Sequence, residues 1–202
     1  MNYHLTPLPE GEFKAFLYDC DGTIADTMAA HYKAWVETLG LWGCPFSEEI
    51  FAELAGIPLV QTVEVLNQRF KLTMPYPDVA QLKEAAFWKN AQEILPIGPV
   101  VEHIHAHKDH FPIAVVSGGN AESVLEILTR LGLEHCFHAI VCAGDYAHGK
   151  PAPDPFLLAA KKLGVAPSDC LVFEDADQGI RSAEAAGMKW VRVFKEGQYD
   201  PK

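Results

Sequence analysis

Two aspartates stand two residues apart in Asp19-Cys20-Asp21-Gly22-Thr23, and a second acidic pair, Glu174-Asp175, lies near the other end of the chain. Between them come Ser117-Gly118-Gly119-Asn120 and Gly149-Lys150-Pro151. Each segment follows a short apolar run: Phe13 to Tyr18, Ile113 to Val116, Ala139 to Cys142 and Leu171 to Phe173. Such runs read as buried strands, so the polar groups fall at strand ends. Four carboxylates crowded at one rim repel one another, and a low-dielectric site magnifies that cost. Raised pKa values or a divalent cation relieve it. Carboxylate and backbone-carbonyl oxygens suit Mg²⁺, which keeps some waters and shares a substrate phosphate. Ser117 and the two glycines after it let backbone N–H groups approach an anion at the start of a helix, and Lys150 adds positive charge opposite the carboxylates. Nucleophile, metal, anion cradle and lysine are the parts of a phosphoryl-transfer site.

These strand ends need elements to hold them. Helical runs over Val100 to Lys108, Ala121 to Leu131, Pro155 to Leu163 and Asp177 to Ala186 alternate with the later strands, the last of which is Val191 to Phe194. Alternation of this kind implies an α/β fold, a doubly wound parallel sheet with helices on both faces, whose ligands bind beyond the carboxyl ends of the strands. Between the first strand and the rest, the period changes. Trp35, Leu39 and Trp42, then Phe51, Leu54 and Ala55, then Val63, Leu66 and Phe70 sit at helical spacing, with Gly40, Gly43, Pro45, Gly56 and Pro58 between them. Pro75 and Pro77 open a further helix across Asp78 to Ile94. An all-helical block is therefore inserted into the α/β unit: residues 1–23 and 94–202 form the core and residues 24–93 the insertion. The sequence stops soon after the Val191 to Phe194 run, so little room is expected for a further strand and helix at that edge.

The composition narrows the class. The 202 residues carry 16 Lys and Arg against 27 Asp and Glu, a net charge of −11, which disfavours nucleic acid or an anionic membrane as partner. Hydrophobic residues make up 49 % and charged residues 21 %, as in an ordinary globular protein. No apolar stretch approaches a membrane span, and Met1 to Gly11 lacks the apolar run of a secretory leader. Cys20, Cys44, Cys136, Cys142 and Cys170 form an odd set without a C-x-x-C pair. The expectation is a reduced, cytoplasmic, monomeric protein. On an extended backbone Cys20 alternates away from the Asp19 side, toward the core.

Other chemistries fare worse. Taken alone, D-x-D is turn chemistry and Lys150 a solvated lysine, but four polar strand ends in order outweigh those readings. Gly144 to Lys150 satisfies G-x-x-x-x-G-K, yet Pro151 stands where a P-loop needs Ser or Thr. Ser117 has no strand-end histidine for a triad, and G-x-S-x-G is absent. His103, His105, His107 and His110 share helix faces only as His103/His107 and His107/His110, and read as a solvated face rather than a zinc site.

Asp19-Cys20-Asp21-Gly22-Thr23, Ser117, Lys150-Pro151 and Glu174-Asp175 resemble, in order, the four motifs of the haloacid dehalogenase superfamily of phosphotransferases, and the helical block resembles its small cap. The stretches His148 to Asp154 and Val172 to Asp177 are similar to the β-phosphoglucomutase-like branch, closest to its small bacterial fructose-1-phosphate/6-phosphogluconate phosphatases. The resemblance implies a Rossmann-like core and a phospho-aspartate on Asp19. Asp21 would protonate the leaving alcohol and then activate water, with Ser117 and Lys150 completing the catalytic set. It implies Mg²⁺ on Asp19, the Asp21 backbone carbonyl and Asp175, with Glu174 assisting directly or through water. Gly22, Thr23, Gly118, Gly119 and Asn120 would surround the substrate from the core, and Gly56 from the cap. His31, twelve positions after Asp19, matches a branch histidine that touches the acid/base aspartate. Lys83 matches a substrate-binding cap lysine, against the plainer reading of a solvated charge. The hinge is expected near Asp26-Thr27 and Leu95 to Gly98. A mutase needs a basic cap residue on the loop that here reads Gly56-Ile57-Pro58-Leu59-Val60-Gln61, which has none. The expected activity is therefore Mg²⁺-dependent hydrolysis of a small sugar phosphate, such as fructose-1-phosphate or 6-phosphogluconate. A β-phosphoglucomutase-type isomerase is the alternative. An idle binding protein is disfavoured because no catalytic position has lost its functional group.

Overall fold

Ala15-Phe16-Leu17-Tyr18 is apolar on both faces, and in the computed structural model, which describes residues 2–197, both faces are covered. The elements run β1 (Tyr3–Leu5), β2 (Ala15–Tyr18), α1 (Met28–Gly40), α2 (Glu48–Leu54), α3 (Leu59–Phe70), α4 (Tyr76–Asn90), α5 (Gly98–His107), β3 (Ile113–Val116) and α6 (Ala121–Arg130), then β4 (Ala139–Val141), α7 (Asp154–Leu163), β5 (Cys170–Glu174), α8 (Asp177–Ala185) and β6 (Lys189–Lys195). Residues 198–202 of the expected core span lie outside the described residues.

The sheet order is β1-β6-β5-β2-β3-β4. All pairs are parallel except β1 on β6. Strand β2 sits between β5 and β3, where the chain's winding direction reverses, and such switch points open a crevice at the carboxyl ends. Side chains alternate across the sheet with period two. Phe16, Tyr18, Val115 and Phe173 pack under α5 and α6, whereas Leu17, Ala114, Val116 and Val172 pack under α7 and α8. The doubly wound expectation holds, and Cys20 is buried in the first of these layers.

The block between β2 and β3 is wholly helical among the described residues. Helix α1 packs along α4, and Trp35, Leu39, Leu54, Val63, Leu66 and Val79 gather in a separate apolar cluster. Chain entry and exit meet at one place: the Asp26 N–H donates to the Leu95 carbonyl at 2.9 Å and the Ile97 N–H to the Ile24 carbonyl at 2.8 Å. Ala25 pairs there with both Asp21 and Pro96.

Two expectations need correcting. The edge beside β6 is filled, because Tyr3–Leu5 returns antiparallel along it with Tyr3 opposite Lys195 and Leu5 opposite Val193. The second concerns His103 and His107, which are not a solvated face. Both rings pack edge-on against Phe16 and stack on each other at 3.9 Å, and His103 Nδ1 shares a 2.8 Å hydrogen bond with the Tyr18 hydroxyl. Burial, with His107 alongside, lowers the His103 pKa to about 4. Helix α5 turns this side to the sheet because Val100 and Ile104 occupy the same face.

Candidate active site

Strand β2 delivers Asp19 to the carboxyl edge with only 4 % of its surface exposed. Lys150, on the loop between β4 and α7, is completely buried behind it. Its Nζ donates to Asp19 Oδ1 at 2.6 Å, to the Val116 carbonyl at 3.0 Å and to Glu174 Oε1 at 3.1 Å. An ammonium has three donors, and all three are used. Glu174, at the end of β5, accepts the Asp175 N–H through its other oxygen. Thr23 Oγ1 donates to Asp175 Oδ1 at 3.2 Å. Gly22 is required there: its φ is +84°, and a Cβ would overlap the Asp175 carboxylate.

One lysine does not balance three carboxylates, two of them buried and Asp175 half-buried. Burial and the charge of Glu174 push Asp19 well above its ordinary pKa despite the Lys150 ion pair, and the same two causes raise Asp175 to about 8. Burial opposes the charge on Lys150, but Asp19 and Glu174 outweigh it and raise its pKa. Asp19, Glu174 and Asp175 each offer an oxygen within 4.8 Å of the others, the one such cluster among the described residues. A site of hard oxygen donors with surplus negative charge fits a divalent cation of the Mg²⁺ kind.

Asp21 has a different environment. Thr27 Oγ1 donates to its Oδ1 at 2.6 Å and His31 Nε2 reaches the same oxygen at 2.9 Å. Lys83 Nζ lies 2.9 Å from His31 Nδ1. Lysine only donates, so Nδ1 accepts and the ring proton sits on Nε2, aimed at Asp21. The ring is clamped against Phe87, 4.1 Å between centroids. Burial disfavours an ionised Asp21, but His31, Thr27 and Lys83 together outweigh it and bring the pKa to about 2. Burial and the nearby Lys83 lower His31, in keeping with a neutral ring. Lys83 is itself lowered, by burial, and is only 7 % exposed, so the solvated reading of this residue is corrected.

Above the sheet, Ser117 Oγ accepts the Gly119 N–H at 3.0 Å, and Asn120 Oδ1 caps α6 through the Ser123 N–H at 2.9 Å. A Cβ on Gly118 would stand 2.7 Å from the Gly56 carbonyl, so the loop before α3 rests directly on this core loop. A cavity of about 340 Å³ lies between the two. Asp19, Asp21, Ser117, Gly118, Gly119, Asn120 and Asp175 line it from the core, and His31, Gly56 and Lys83 from the helical block. Lys150 and Glu174 back Asp19, while Gly22 and Thr23 wrap Asp175. Every residue singled out in the sequence for the site thus reaches it. Thr27, Phe87, Glu84 and Ser123 also belong to it and were not foreseen as site residues. Thr27 and Phe87 carry no motif, and the carboxylate of Glu84 is one of many on exposed helices.

The sequence model described as haloacid dehalogenase-like hydrolase matches residues 16–193. The chain belongs to that family. It is 39 % identical over 186 residues to the fructose-1-phosphate phosphatase YqaB of Escherichia coli, covering 90 % of this chain and 96 % of that one. The β-phosphoglucomutase of Bacillus subtilis is 32 % identical over 196 residues, with 93 % and 85 % covered. In three dimensions the β-phosphoglucomutase of Clostridium difficile superposes with a TM-score of 0.76 at 26 % identity, over 88 % of this chain and 83 % of that one. As a haloacid dehalogenase-like hydrolase of this similarity, the chain is an enzyme of phosphatase type. Among the described residues no helix is long and apolar enough to cross a membrane.

Proposed function

We propose that this chain is a Mg²⁺-dependent phosphatase of small sugar phosphates that works through a phospho-aspartate on Asp19. The observation that carries the reading is the arrangement of two aspartates in opposite states. Asp19 is locked to a buried lysine among other carboxylates, and Asp21, two residues on, is held clear of that cluster by Thr27 and His31. Both face the same cavity. The name of the 39 % identical relative supports a sugar phosphate as substrate.

Lys150 fixes Asp19 Oδ1, which leaves Oδ2 to attack phosphorus: the Asp–O–P bond forms as the ester P–O bond breaks. Ser117 Oγ already accepts from the Gly119 N–H, so its own O–H is free to donate to a phosphate oxygen. Asp21 rests ionised, and a phosphate dianion arriving beside it raises its proton affinity, as like charges do. Protonated in that way, it gives its proton to the departing alkoxide, then takes one from the water that hydrolyses the phospho-aspartate. Asp19, Asp175 and the Asp21 carbonyl would hold Mg²⁺, with Glu174 directly or through water. When bound, the ion offsets the negative charge of carboxylates and phosphate. Closure of the helical block over the site would keep bulk water from the intermediate.

The mutase alternative has support from the β-phosphoglucomutase relatives, but Gly56 to Gln61 offers no cation to hold a second phosphate. The reading has a soluble small-molecule substrate, no nucleic acid or membrane partner, and a monomer acting in the cytoplasm. The test is phosphate release across a panel of sugar phosphates with Mg²⁺ or EDTA, set beside isomerisation of β-glucose-1-phosphate. Release that EDTA abolishes is expected. Isomerisation stimulated by a sugar bisphosphate, with little free phosphate, would establish the mutase instead.

A further inference from the structure

The cap side of the cavity carries one charged residue that the proposed chemistry does not use. Glu84, on α4, lines the cavity with its neighbour Lys83. Trp88 Nε1, one turn on, donates to Glu84 Oε1 at 2.9 Å, and the hydroxyl of Ser123, on the first turn of α6, meets the same oxygen. The carboxylate is thus held from the helical block on one side and touches the core on the other, close enough to Lys83 and His31 for their charges to interact. A carboxylate offers about four acceptor positions, so two partners leave capacity for hydroxyl donors.

Among the described residues, charge on the cap side of the cavity is limited to the neighbouring pair Lys83 and Glu84, with His31 beside them. Lys83 is the one Lys or Arg among the described lining residues. Its Nζ is bonded to His31 Nδ1 and lies 5.2 Å from the Phe87 ring centroid and 5.9 Å from that of Trp35, on the Asp21 side. The remaining cap wall is apolar or aromatic, with Phe46, Phe51, Leu54, Ile57 and Tyr76 in it. A second anionic group on a substrate would meet Glu84 and these apolar walls, where the one lining cation, Lys83, already faces the carboxylates of Glu84 and Asp21, a repulsive contact as well as a desolvated charge. Hydroxyl groups would instead find an acceptor.

We infer that Glu84 reads the unphosphorylated end of the substrate, accepting from its hydroxyls and rejecting carboxylates and second phosphates. The substrate class is then a monophosphate ester of a neutral polyol or sugar, which decides for fructose-1-phosphate over 6-phosphogluconate. The inference rests on the phosphatase reading and sharpens it.

The experiment compares kcat/KM for fructose-1-phosphate, 6-phosphogluconate and fructose-1,6-bisphosphate in the full-length enzyme and in Glu84→Gln. That change keeps shape and one acceptor oxygen for Trp88 while removing the charge. The native enzyme is expected to prefer the neutral-ended substrate by about tenfold or more, a ratio that needs no variant to read. In Glu84→Gln the preference should fall to about threefold or less, mostly through KM for the acidic substrates, since the lost interaction is with the bound ground state. Phosphate release from none of the esters would overturn the phosphatase reading and this inference with it. Release with equal use of neutral and acidic substrates by the native enzyme overturns the role of Glu84 alone. So does a preference that Glu84→Gln leaves unchanged.

Discussion

The rim of the sheet and the wall of the helical block face each other across one cavity and are built in opposite ways. On the rim, Lys150 spends all three donors on Asp19, Glu174 and the Val116 carbonyl, with parallel strands on either side of β2 fixing the backbone. On the wall, aromatic and aliphatic side chains from separate helices surround a single Lys83–His31 contact and the Glu84 carboxylate. Charge concentrated on rigid backbone suits a step common to many phosphate esters, because catalysis by positioning tolerates little movement. Side chains projecting from helices can be exchanged without disturbing the sheet, which suits discrimination. On the proposed function, the comparison teaches that reaction and selectivity fall to different layers of the molecule.

Substitutions on the two sides should therefore fail differently. Asp19→Asn is expected to lower turnover by at least about 10³-fold while the circular dichroism spectrum stays native, since the nucleophile is lost and the shape kept. Retained turnover would remove Asp19 from its role. Lys150→Ala leaves Asp19 and Glu174 facing each other without a countercharge, and should cost about 3 kcal/mol in urea unfolding without added metal, as breaking a buried ion pair does. An unchanged midpoint would mean that the rim is less dry than its burial indicates. Beneath the rim, His103 supplies a pH effect of known sign. Its folded pKa of about 4 lies below the ordinary histidine value of 6.5, so the unfolded chain binds the proton first. Stability then falls as pH drops from about 6.5 toward 4. His103→Phe should flatten that part of the stability profile by about 1 to 2 kcal/mol. Smallest of all is the seam itself. Gly118→Ala drives a methyl against the Gly56 carbonyl and should raise KM by about threefold, with kcat little altered.

The same contrast explains what the sequence disclosed. Asp19, Ser117, Lys150 and Glu174-Asp175 each follow an apolar strand, so contiguous residues spelled out the rim, and the buried runs spelled out the parallel sheet. Tyr3–Leu5 escaped because three residues, two half-buried around an exposed His4, are too few to show a period and take their structure from β6, almost the whole chain away. His103 and Lys83 were read from helix faces without knowing what those faces meet. The aromatic sheet surface covers one, and the His31–Phe87 stack encloses the other. Glu84 was invisible for a related reason: its importance depends on Ser123, a residue on a different helix 39 positions away.

The two bonded crossings, Asp26 to Leu95 and Ile97 to Ile24, also make the helical block a cassette. Chain leaves and re-enters the sheet at neighbouring points, so a turn of about two to four residues would close the gap if the intervening helices were excised, and a different insert would impose little extra loop-closure cost. Grafting at this junction would retain the Asp21 to Ala25 pairing on the core side while replacing the entire selective wall. Modularity of the enzyme is thus written into a pair of backbone hydrogen bonds.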